Sequence, residues 1–117
     1  MTIIQQALSE QLGPFLVVGS SAGGLMALLL QREEPRVKGL VLCAPALHTE
    51  IAKSLRAEGL PETVIIHGRS DDVVPIESSR AFGAPLVEVD DGHRLSASLP
   101  LILRLVFEMK LKAQFSA

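Results

Sequence analysis

Short uninterrupted apolar runs alternate along this chain with longer stretches in which apolar residues recur at helical spacing. The short runs are FLVV at 15–18, KGLVLC at 38–43, TVII at 63–66 and PLVEV at 85–89. An apolar run of this length, rich in β-branched residues, suits a strand covered on both faces. Residues 2–12 read as a helix with Ile3, Ile4, Ala7 and Leu8 on one face, stopped by Gly13-Pro14. A second helix is predicted over 22–31, ending before Pro35. A third is predicted over 49–58, with Thr49 as its cap and Gly59 as its stop. Residues 75–82 predict a short helix with Pro75 near its first turn, and a last helix runs from about residue 96. The chain shows no repeat, low-complexity tract or linker. Strands that alternate with helices, without hairpin signals, predict an α/β fold: a parallel sheet of about four strands with flanking helices and right-handed crossovers.

Composition narrows this reading. A length of 117 residues fits a single domain, 1–117. The net charge is −2, and Lys and Arg are scattered singly, which argues against nucleic acid or an anionic membrane as partner. No apolar stretch approaches the roughly 20 residues of a spanning helix. The N-terminus lacks the basic start of a secretory leader, and the single cysteine, Cys43, excludes an intrachain disulfide. Together these suggest a reducing, cytoplasmic setting. The mean hydropathy of +0.36 is high for so small a chain and implies more apolar surface than one such domain buries easily.

Candidate chemistry begins at Gly19-Ser20-Ser21-Ala22-Gly23, which fits G-x-S-x-G between a predicted strand and a predicted helix. A nucleophile on so tight a turn occupies strained backbone, and its neighbours two residues away must be small; Gly19 and Gly23 stand there. The turn also puts Ser21 at a helix N-terminus, where free N–H groups favour negative charge. The competing reading is a phosphate-binding turn, or a helix start capped by Ser20 or Ser21. A Walker loop would carry Lys where Leu25 stands, and the dinucleotide fingerprint would carry Gly where Ser21 stands.

Two further loops follow buried strands: His67-Gly68-Arg69-Ser70-Asp71-Asp72 and Asp90-Asp91-Gly92-His93. In a parallel sheet these loops and the serine turn share one edge, where α/β folds place their sites. A serine hydroxyl needs a base, and His93 is the candidate. The imidazole needs a carboxylate to fix its tautomer, and Asp71 is preferred, with Asp72 as runner-up. Asp90 and Asp91 could instead bond their own backbone at the turn. His67 is expected to pack beneath the site and His48 to be a loop residue.

The stretches GSSAGG, LVLCAPAL, IHGRSDDVVP and DDGHRL together resemble the α/β-hydrolase superfamily, most nearly its small, lidless, esterase-like members. In such proteins the Asp after H-G-x-x is the acid, which supports Asp71. The resemblance implies a serine hydrolase acting on a small carboxylic ester or thioester, without metal or cofactor. It covers nearly the whole chain but only the C-terminal half of the family's domain. The strands that usually precede the nucleophile strand have no counterpart, nor does the loop that supplies half of the oxyanion hole. Ala22 N–H supplies one donor. Strand 15–18 is therefore expected to have an unpartnered edge and to assemble, as a homo-oligomer or with a companion chain carrying the missing half. The alternative function is a weak or inactive module that acts through assembly or ligand binding.

Overall fold

A computed structural model describes residues 14–115 of the chain. The expected helix over 2–12 lies outside the described residues. Four strands, β1 (Phe15–Ser20), β2 (Val37–Cys43), β3 (Glu62–Gly68) and β4 (Leu86–Val89), form one sheet in the order β1-β2-β3-β4. All three pairings are parallel. Helices α1 (Ala22–Glu33) and α2 (Ile76–Phe82) belong to the crossovers, and α3 (Leu99–Phe115) follows β4.

The central strands β2 and β3 are buried on both faces because each carries two apolar sets. Leu40 and Leu42 of β2 and Ile65 of β3 pack with Leu25 and Leu28 of α1. Cys43 and Ile66 pack on the other side with Leu95, against Leu101, Ile102 and Leu105. The result is three layers, with α1 and α3 on opposite faces of the sheet. Gly39 makes the α3 contact close, since a Cβ there would lie 2.9 Å from Met109.

The segment 49–58 corrects the sequence reading. It holds only one 3₁₀ turn, Ile51–Ser54, rather than a helix through 58. Thr49 does not cap it: its hydroxyl donates back to the Ala46 carbonyl at 2.9 Å. Ala52 and Leu55 are buried and hold the segment to the core, so tertiary packing outweighs its helical spacing. The last helix differs slightly from expectation, with a 3₁₀ turn at Ser96–Ser98 before α3 begins at Leu99. Among the described residues, no helix is long and apolar enough to cross a membrane.

Candidate active site

Three loops at the carboxyl edge of the sheet carry the candidate residues. Ser21 follows β1 directly and adopts φ 55°, ψ −117°, a left-handed conformation that costs a non-glycine residue about 1–3 kcal/mol. Backbone contacts hold it there. Ser21 N–H donates to the Cys43 carbonyl (2.9 Å), and the Ser21 carbonyl accepts from the N–H groups of Gly24 (3.0 Å) and Ala46 (3.0 Å). The nucleophile turn is thus tied to the chain leaving β2.

The glycines of this turn differ from expectation in one respect. A Cβ on Gly19 would lie 2.4 Å from the Gly23 carbonyl oxygen, and one on Gly24 would lie 2.9 Å from the Pro45 side chain. A Cβ on Gly23 would meet nothing within 4 Å among the described residues. Gly19 and Gly24, rather than Gly19 and Gly23, are the sterically required pair. Gly24 is the signal the motif reading passed over, because the tight neighbour lies on the following loop.

The acid and base loops are joined at Gly68. Arg69 N–H donates to the Val89 carbonyl (2.8 Å) and Ser70 N–H to the Asp91 carbonyl (3.1 Å). Any Cβ on Gly68 would fall 2.1 Å from the Asp91 carbonyl oxygen, so only glycine lets the two loops come together. Asp71 and His93 meet as a consequence: His93 Nδ1 lies 2.8 Å from Asp71 Oδ2. His93 Nε2 lies 3.1 Å from Ser21 Oγ. An ionised carboxylate only accepts, so Nδ1 carries the proton and Nε2 is left to accept from the serine hydroxyl. The three preferred residues therefore form one hydrogen-bonded series across 72 residues of chain.

Asp71 is fully buried in its side chain, whereas His93 remains one-fifth exposed. Burial alone would raise the Asp71 pKa. The His93 hydrogen bond and the N–H groups of Val74 and Val73 outweigh it and hold the carboxyl below its ordinary value. Those N–H groups both reach Oδ1, at 2.7 and 2.8 Å. Asp72, the runner-up, has no part in this series, and the geometry favours Asp71.

Asp91 behaves as a loop residue: Gly92 N–H donates to its Oδ1 (2.8 Å). Its Oδ2 also accepts from Ala97 N–H (3.0 Å) and the Ser98 hydroxyl (2.9 Å). It thereby ties the His93 loop to the turn before α3, a role that its local sequence does not reveal. Asp90 accepts from Arg69 at 2.7 Å on the surface. His67 is fully buried beneath the acid, with Nε2 3.1 Å from Asp71 Oδ2.

Ala22 is the first residue of α1, so its N–H is one of those a helix leaves without an intrahelical partner. It follows Ser21 directly. On the outer side of β1 an apolar cleft of about 450 Å³ runs between β1 and α1, lined by Val17, Val18, Met26 and Leu30 and reaching Ser20 and Gly23. Val18 and Met26 are about half exposed in it. Among the described residues, no group of three or more His, Cys, Asp or Glu side chains is arranged to hold a metal ion.

Comparisons with known proteins bear on the fold. Residues 1–58 match the family described as serine aminopeptidase, S33. No curated protein matches the sequence. Among solved structures, Est1E from Butyrivibrio proteoclasticus superposes with a TM-score of 0.73 at 22% identity, covering 93% of this chain and 66% of its own. A predicted CIB-like hydrolase from Thermoplasma acidophilum gives 0.70 at 25% identity, covering 96% and 55%. An α/β serine hydrolase homologue from Coxiella burnetii gives 0.71 at 21% identity, covering 90% and 54%. This chain thus spans between 54% and 66% of the length of these three relatives.

Proposed function

Because this chain has the α/β-hydrolase fold and matches a hydrolase family over residues 1–58, we propose that it is a serine hydrolase cleaving a small carboxylic ester or thioester through an acyl-enzyme on Ser21. The supporting observation is the series Ser21 Oγ–His93 Nε2–Asp71, with Ser21 on a strained turn. In the proposed reaction Ser21 Oγ attacks the acyl carbon as its proton passes to His93 Nε2. Asp71 stabilises the imidazolium. The developing oxyanion takes the Ala22 N–H. His93 then returns the proton to the departing alcohol or thiol, and a water activated by His93 releases the acid and restores Ser21.

One structural relative, Est1E, is solved with ferulic acid bound, and another is an esterase domain from Rhodothermus marinus; both support a carboxylic ester as the substrate class proposed for this chain. The matched family's description names an aminopeptidase, so an amide is the substrate to exclude. Ala22 N–H is the candidate donor among the described residues, and losing one oxyanion donor costs roughly 10²–10³ in rate. A fluorophosphonate probe should modify Ser21, and Ser21→Ala should lose both labelling and turnover of a p-nitrophenyl acetate ester. Unchanged turnover in that variant would end the proposal, and turnover of an aminoacyl anilide in preference to the ester would replace the substrate class.

The open side of β1 supports a second reading, assembly. In it, β1, an edge strand among the described residues, pairs with a strand of another copy or of a companion chain. Sedimentation velocity should then show a species larger than the monomer, and Val18→Lys should shift it towards monomer. A folded monomer at micromolar concentration in the unsubstituted protein would sink this reading.

A further inference from the structure

His67 is a buried histidine that the proposed reaction does not use. It sits on β3 with a side chain that is fully buried, and both ring nitrogens are engaged. Nε2 lies 2.9 Å from the Val74 carbonyl oxygen and 3.1 Å from Asp71 Oδ2. Neither a carbonyl nor an ionised carboxylate can donate, so Nε2 must carry a proton. In the neutral ring Nδ1 is then an acceptor, and the Ser79 hydroxyl, 2.7 Å away and itself fully buried, donates to it. The ring therefore links three elements: β3, the turn that carries Asp71, and α2.

We propose that His67 positions the acid of the site, holding the 71–74 turn through the Val74 carbonyl and presenting its N–H to the carboxylate oxygen that His93 uses. The inference rests on the hydrolase reading for its kinetic consequence, though not for its geometry. Val74 is the pivot: its N–H donates to Asp71 Oδ1 while its carbonyl accepts from His67. Asp71 Oδ1 receives two backbone N–H groups, and Oδ2 faces two imidazole nitrogens. The carboxylate is thereby surrounded on both oxygens and cannot rotate away from His93 without losing a partner. The Val74 carbonyl and Asp71 Oδ2 fix the His67 tautomer much as Asp71 fixes that of His93, and Ser79 completes it at Nδ1. A smaller side chain at 67 would leave the acid turn resting on a void, and an apolar one of equal size would leave the Val74 carbonyl buried without its donor.

The test combines ring tautomers with kinetics on the full chain. Long-range ¹H–¹⁵N spectra should show His67 protonated at Nε2, and a bare Nε2 on His67 would overturn the proposal. His67→Phe keeps the volume and removes the donor. It should slow fluorophosphonate labelling of Ser21 and ester kcat by about ten- to hundredfold, with KM little changed, and shift the His93 Nδ1 proton resonance. His67→Gln, which keeps an N–H near the Nε2 position, should restore much of the rate and the resonance. A folded His67→Phe variant with unchanged labelling and an unchanged His93 proton would refute the positioning role. If Phe at 67 prevents folding, the Gln variant and the tautomer of the unsubstituted protein still decide. Failure to label Ser21 in the unsubstituted protein would sink the hydrolase reading alone, because the spectra need no turnover.

Discussion

The two edges of the sheet are built differently. β4 has four residues, and charges guard it: Glu88 accepts from Arg80 at 2.7 and 3.0 Å, and Arg69 lies 3.4 Å from Glu88 and 2.7 Å from Asp90. The Arg80 hydrogen bond holds the Glu88 carboxyl below its ordinary value. A short edge crossed by ion pairs resists pairing with another chain. β1 has six residues, and its outer side opens on the apolar cleft with Val18 half exposed. The candidate acid and base, Asp71 and His93, come from the loops after β3 and β4, which are joined by backbone hydrogen bonds. The serine comes from the β1 side. The Asp71–His93 pair is thus supported within the described residues, whereas Ser21 stands at the border of a face that is open among the described residues.

The sharpest test of that contrast uses glycines. Gly68→Ala should destabilise by about 3 kcal/mol, because its Cβ would meet backbone at 2.1 Å and the acid and base loops would have to separate. Gly23→Ala, beside the β1 cleft, should stabilise by about 0.5–1 kcal/mol as an ordinary helical substitution. Urea unfolding of both variants measures this, and similar losses at the two positions would break the comparison. A smaller effect is expected from acid. The folded pKa values of Asp71 and Asp91 lie below those of the unfolded chain. Their contribution is therefore complete above about pH 4 and is lost as the pH falls through the folded values. Asp71→Asn should flatten the dependence of the urea midpoint on pH between about 5 and 2. The smallest effect belongs to Arg80→Ala. Its ion pairs are exposed, so the melting midpoint should scarcely move, and any difference should vanish at 1 M salt.

The strands and the serine turn were legible because their signals are local. Four apolar runs became four strands within a residue or two of their expected ends, and the chain order Ser-Asp-His carried over to one edge. The segment 49–58 was not legible, because its helical spacing competes with a Thr49 hydroxyl that bonds backward and with side chains drawn into the core. Gly24 was missed because its tight neighbour, Pro45, lies 21 residues on in the chain and depends on the β1–β2 register. The contacts of Asp91 with Ala97 and Ser98 likewise depend on where α3 begins. His67 was read as packing beneath the site, which it does. Its contact with the carboxylate could not be read, since it follows from how the acid turn folds back over β3.

The sheet order β1-β2-β3-β4 also sets a calendar for synthesis. Ser21 leaves the ribosome 72 residues before His93, a gap of roughly four to fourteen seconds at ordinary rates of synthesis. During that interval β1 and β2 can pair and the strained serine turn can close, before His93, the imidazole that comes to face Ser21, has been made. The Ser21 hydroxyl of the nascent chain therefore waits without its His93 partner, and their contact forms only when the fourth strand joins.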